Sequence, residues 1–95
     1  MGRCRVSAPL RTVWKFQARV SDLVSIAMPL GAEILHVAGD GPDRLVFWAL
    51  VNTTAPADMR SFHVVGTGNW CPMVGPHVAT VVAPPFVWHI FEVRR

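Results

Sequence analysis

Four histidines, His36, His63, His77 and His89, have the widest chemical range in the chain, because imidazole both ligates metals and moves protons near neutral pH. None stands in an H-x-x-x-H pair and there is no C-x-x-C, so the spacings that hold zinc are missing. Each histidine falls in a different predicted strand. His36 shares a strand face with Ile34, and His89 points away from its neighbours Trp88 and Ile90, as hydrogen-bonded or half-exposed histidines do. Cys71 could act as a nucleophile if a histidine reached it, but Pro72 follows it rather than a helix N-terminus that would favour the thiolate. Gly66-Thr67-Gly68 resembles half of a phosphate-binding loop, yet Asn69-Trp70-Cys71-Pro72 follows where a helix should begin, so a tight turn is the better reading. Asp22, Glu33, Asp40, Asp43, Asp58 and Glu92 are scattered, and no pair stands out for acid–base work. No catalytic residue, metal or cofactor is assigned, and the chain is expected not to be an enzyme.

The elements that would position these residues read as β throughout. Along Arg11–Arg19, Thr12, Trp14, Phe16 and Ala18 fall on one face and Val13, Lys15, Gln17 and Arg19 on the other, the pattern of a strand with one buried face. Further runs span Asp22–Met28, closed by Pro29, and Ala32–Ala38, ended by the turn Gly39-Asp-Gly-Pro-Asp43. Leu45–Val51 is apolar at every position, as in a strand buried on both faces, or buried on one and paired with another subunit on the other. Asn52–Met59 reads as a polar loop. Phe62–Val65, His77–Ala83 and Phe86–Val93 complete the set, with the irregular Gly66–Pro76 between the first two and Pro84-Pro85 between the last. The fold class is therefore all-β: a small antiparallel sandwich or barrel of about seven short strands. One domain over residues 11–93 follows, behind a flexible N-terminal arm over residues 1–10.

Composition narrows the functions. The 95 residues are 52% hydrophobic and 16% charged, with a mean hydropathy of +0.36, which excludes a coiled coil or a polar disordered tail. The formal charge of +3 belongs largely to Arg3, Arg5, Arg94 and Arg95 at the two ends; without them, five bases face six acids. No clustered basic stripe is visible in the linear sequence, which weighs against nucleic acid as a partner. The N-terminus lacks the apolar stretch of a secretory signal, and no run is long enough to span a membrane. Cys4 and Cys71 are too few for a disulfide framework, so a reducing cytoplasm is expected.

The apolar surplus gathers in two places. Trp14, Trp48 and Trp88 lie in strands and are expected in the core, whereas Trp70 sits in a glycine-rich loop, as an interface anchor or as a side chain folded back over one end. Gly66, Thr67, Gly68, Asn69, Trp70 and Met73 are the candidate interaction residues. Phe47 and Trp48, within the all-apolar run, are the candidate oligomer interface, and a homo-oligomer is expected.

Five blocks carry a resemblance: Trp14-Lys-Phe16, Ile26-Ala-Met-Pro-x-Gly-Ala-x-Ile-Leu35, Trp48-Ala-Leu-Val51, Phe62-x-Val-Val-Gly-Thr-Gly68 and Val87-Trp-His-Ile-Phe91. Over residues 13–92 the chain resembles a family of small domains of unknown function encoded mainly by bacteriophages and prophages. It departs from that family in the longer Gly39–Asp43 hairpin and at Asn69–Pro72. The resemblance implies a phage origin and synthesis in the host bacterial cytoplasm, and carries over no catalytic residue. The resulting expectation is a non-enzymatic phage accessory protein that binds a host or phage protein. A small-ligand or nucleotide binder, with Arg44 or Arg60 beside the Gly66–Gly68 loop, is the first alternative; a minor virion component is the second.

Overall fold

Short runs of alternating side chains, cut by glycine and proline, can bury one face each only by stacking as sheets. The computed structural model describes residues 10–72 and 75–93, so most of the expected N-terminal arm, Cys4 and Met73 lie outside the described residues. Seven strands form: β1 (Arg11–Arg19), β2 (Leu23–Pro29), β3 (Glu33–Gly39), β4 (Arg44–Asn52), β5 (Ala57–Gly66), β6 (His77–Ala83) and β7 (Phe86–Glu92). They make two antiparallel sheets, one ordered β1-β4-β3 and the other β2-β5-β7-β6. The protein is an all-β sandwich, with no helix among the described residues.

The core lies between the sheets. Leu45, Phe47, Ala49 and Val51 of β4 face Val24, Ile26 and Met28 of β2, Phe62 and Val64 of β5, Val81 of β6 and Ile90 of β7. The rings of Phe47 and Phe62 meet across the gap with centroids 5.0 Å apart. One corner is drawn shut where β3 meets β6: a Cβ on Gly39 would stand 2.8 Å from the Cβ of Ala83, so only glycine fits that approach. Bulges leave Leu35 in β3 and Val78 in β6 without a directly opposed partner.

Three expectations change. Phe47, paired with Trp48 as a candidate subunit contact, is wholly buried inside the sandwich; β-strand alternation sends only Trp48 to the outer face of β4. The strand tryptophans are not all core: Trp14 is 41% exposed on β1 and Trp48 is half-buried against His36, with ring centroids 5.8 Å apart. Finally, β5 starts at Ala57, inside the stretch read as a loop. Its inward positions there are polar, and Arg60 is accommodated because its guanidinium is bonded on two sides.

Candidate functional site

Antiparallel pairing brings to one end of the sandwich the connections 20–22, 40–43 and 84–85 together with residues 67–72, whereas β6 begins at the opposite end, where the Pro76 carbonyl accepts from the Glu92 amide. At this end β5 outruns β2. Leu23 is opposite His63, and the Asp22 carbonyl still accepts from the Val64 amide at 3.1 Å, but Val65 and Gly66 pair only with His89 and Trp88 of β7. The chain then turns sharply. The Asn69 amide donates to the Gly66 carbonyl at 3.0 Å, and Gly68 adopts φ of 88°, a left-handed value that disfavours any side chain. A Cβ on Gly66 would stand 2.9 Å from Asn69 Nδ2, so the missing side chain is what lets Asn69 lie against the strand.

The turn delivers Trp70 into solvent. Its side chain is 97% exposed and does not fold back over the sandwich. Behind it Trp88 packs against the core, and Phe86, 44% exposed, stacks on Trp88 with centroids 5.0 Å apart. Two clefts flank this group. One, of about 310 Å³, includes Asp22, His63, Val65, Trp70 and Pro72 in its lining; the other, of about 440 Å³, includes Thr67, Pro85 and Phe86. Gly66, Asn69 and Trp88 are common to both. Trp88 Nε1 is buried and has no acceptor among the described residues, an uncommon state for a buried donor. Such a surface offers aromatic faces for apolar side chains beside polar groups of Asp22, His63 and Asn69.

Sequence reasoning missed a second constellation on the outer face of the β2-β5-β7-β6 sheet. Thr67 Oγ1 lies 2.7 Å from His89 Nε2, His89 Nδ1 lies 3.0 Å from Thr80 Oγ1, and that hydroxyl lies 3.0 Å from His77 Nε2. His77 also meets the Phe91 ring edge-on at 5.3 Å. A hydroxyl bonded to an imidazole has the start of a nucleophile–base pair. Here the group behind the imidazole is a second hydroxyl rather than a carboxylate, so the chain is suited to fixing the 67–72 loop against β7. The signal lay in the pairing of Thr80 with His89, which follows from the turn at Pro84-Pro85 and not from spacing within any one strand.

The remaining candidates scatter. Gly66, Thr67, Gly68, Asn69 and Trp70 are together. Arg44 belongs to the same end, at the start of β4. Arg60 belongs to the other end, where Nε and Nη2 donate to Glu92 at 2.7 and 2.9 Å and Nη1 donates to the Ala32 carbonyl. It is an internal clasp and does not face the Gly66–Gly68 loop. Cys71 is exposed and its thiol donates to the Pro72 carbonyl at 3.5 Å. No group of three or more histidine, cysteine or acidic side chains able to hold a metal occurs among the described residues.

Residues 9–95 match a family model described as a domain of unknown function, DUF7352. No curated protein and no solved structure matches the chain.

Proposed function

The chain belongs to the DUF7352 family, whose function is open, and we propose that it is a non-enzymatic binding module that docks a host or phage protein at its loop end. In this reading it is a bacteriophage accessory protein made in the host cytoplasm. The observation that carries the proposal is the exposure of Trp70 beside two clefts of mixed polar and apolar lining. A fully hydrated tryptophan gains most when a partner desolvates it, and tryptophan is among the residues most enriched at binding hot spots. The fold supports the presentation: Gly66, Gly68 and the Thr67–His89 bond hold the loop, while Trp88 and Phe86 form the ground behind it.

The test is affinity capture from lysate of the infected host, followed by titration of any captured protein with wild-type chain and Trp70→Ala. A partner whose binding depends on Trp70 supports the proposal; failure to capture any such partner counts against it. A small-ligand reading draws on the same clefts and differs in its test. A thermal-shift series with nucleotides and cyclic nucleotides should be flat if the loop end docks protein. A raised melting point would favour the ligand reading, in which Arg44 alone of the two arginines shares the loop end.

A further inference from the structure

A separate surface lies along β1. In the β1-β4-β3 sheet, β1 is an edge strand, and among the described residues no strand pairs with its outer side. Its hydrogen-bonding phase follows from its two ends. The Thr53 amide donates to the Leu10 carbonyl and the Val20 amide to the Asp43 carbonyl, each at 2.8 Å, so the even-numbered residues bond to β4. The odd-numbered residues Arg11, Val13, Lys15, Gln17 and Arg19 therefore aim their amides and carbonyls outward. Their side chains also share one face, so all three cations of β1 stand on the outer surface of the sheet, at four-residue intervals of roughly 13 Å.

All three cations are exposed, and among the described residues neither they nor Arg44 forms an ion pair. Arg19 stands directly opposite Arg44, an arrangement that like charges disfavour unless an anion lies between or beside them. The other face of the strand offers apolar area instead: Trp14 is 41% exposed there, with Phe16 beside it. β1 contains no acid.

From this juxtaposition we infer that the outer edge of β1 is a strand-addition site for an extended acidic segment of a partner protein, with acids on one face and apolar residues on the other. The added strand takes up the outward amides and carbonyls, its carboxylates lie beside Arg11, Lys15 and Arg19, and its apolar side chains cover Trp14. The β1 strand of a second copy fits poorly. Antiparallel self-pairing centred on Lys15 sets Lys15 against itself and Arg11 against Arg19, and no register supplies an acid. Residues 1–9 fit no better, since they carry Arg3 and Arg5 and no acid. The site does not involve Trp70 or the 67–72 segment.

The test uses the whole chain and a labelled, end-blocked nonapeptide of alternating glutamate and valine. Saturable binding is expected, with slowed exchange of the Val13, Lys15 and Gln17 amides. Lys15→Glu should weaken it at least tenfold, and Lys15→Arg should restore it. Val13→Pro should weaken it similarly while leaving the circular dichroism unchanged, because the amide it deletes makes no bond to β4. Trp70→Ala should leave it unaltered. If Val13→Pro does not fold, the Lys15 pair and the exchange pattern still decide. The inference is overturned by absence of saturable binding or by equal binding of the lysine–valine counterpart. It is equally overturned if a ten-residue oligothymidylate binds instead and Val13→Pro leaves that binding intact, or if the chain forms a dimer that Val13→Pro dissolves.

Discussion

The two ends of the sandwich differ in how their side chains are held. At the end away from Trp70, the Leu30 amide donates to the Pro56 carbonyl, the Glu92 amide to the Pro76 carbonyl, and the Asn52 side chain accepts from Thr54 twice. Arg60 sits inside this end, held by Glu92 and Ala32 with its side chain only 12% exposed. At the Trp70 end, one backbone bond and one threonine–histidine bond hold the 67–72 segment, and the space beside it is lined by Trp88, Phe86 and Asn69. At the first end no buried side-chain donor or acceptor among the described residues lacks a partner. The other leaves an indole donor without an acceptor and a tryptophan in water. Main-chain bonds tie connections at both ends, Val20 to Asp43 and Asp40 to Arg44 among them at the open end, so it is the exposed Trp70 and the unpaired Trp88 donor that make this end the place to look for a partner.

Substitutions at the two ends should break or sharpen this contrast, and they rank by how much packing each removes. The largest effect is expected for Trp88→Ala. The open end still rests on the core there, and a large-to-small change at a partly buried aromatic should cost about 3 kcal/mol in urea unfolding. A loss below about 1 kcal/mol would mean that the floor of the clefts is not part of the core. Arg60→Ala comes next. It removes the clasp of the closed end and leaves Glu92 partly buried without its cation, for about 2 kcal/mol after allowance for residual solvent. Replacement of both Arg60 and Glu92 by apolar residues should recover most of that loss, and failure to recover it would show that the clasp contributes more than charge compensation.

Gly68→Ala is smaller. Nothing obstructs a new methyl group, so the penalty is conformational, from φ of 88°, and should be about 1 kcal/mol. Its effect on partner binding should exceed its effect on stability if the turn serves to present Trp70. The smallest stability change is expected at Trp70 itself, within about 0.5 kcal/mol, because the side chain touches almost nothing.

Much of this architecture is legible in the sequence, for reasons that particular residues make plain. Alternation in Arg11–Arg19 and the turn signals at Gly39–Asp43 and Pro84-Pro85 place six of the seven strands close to their observed limits. The start of β5 is not legible, since Asp58 and Arg60 occupy inward positions that a hydrophobic pattern assigns to a loop. Only long-range partners, Glu92 and Ala32, make an inward arginine acceptable. Trp70 is legible as the exceptional tryptophan because it alone lies in a glycine-rich loop, but its two possible fates are separated only by its surroundings. The same limit hides Phe47 and Trp48 from one another. An apolar residue on either face of β4 looks alike until the sheets are stacked. The Thr67–His89–Thr80–His77 chain and the basic face of β1 are likewise properties of pairing and side, not of spacing or net charge.

The measurement that bears most directly on the open end as the docking surface is a titration of the captured partner with wild-type chain and Trp70→Ala, alongside thermal melts of both. The prediction is a binding loss of about 2 kcal/mol, roughly thirtyfold, with the melting temperature unchanged. Unchanged affinity, or a loss of affinity that merely follows a fall in melting temperature, would contradict it.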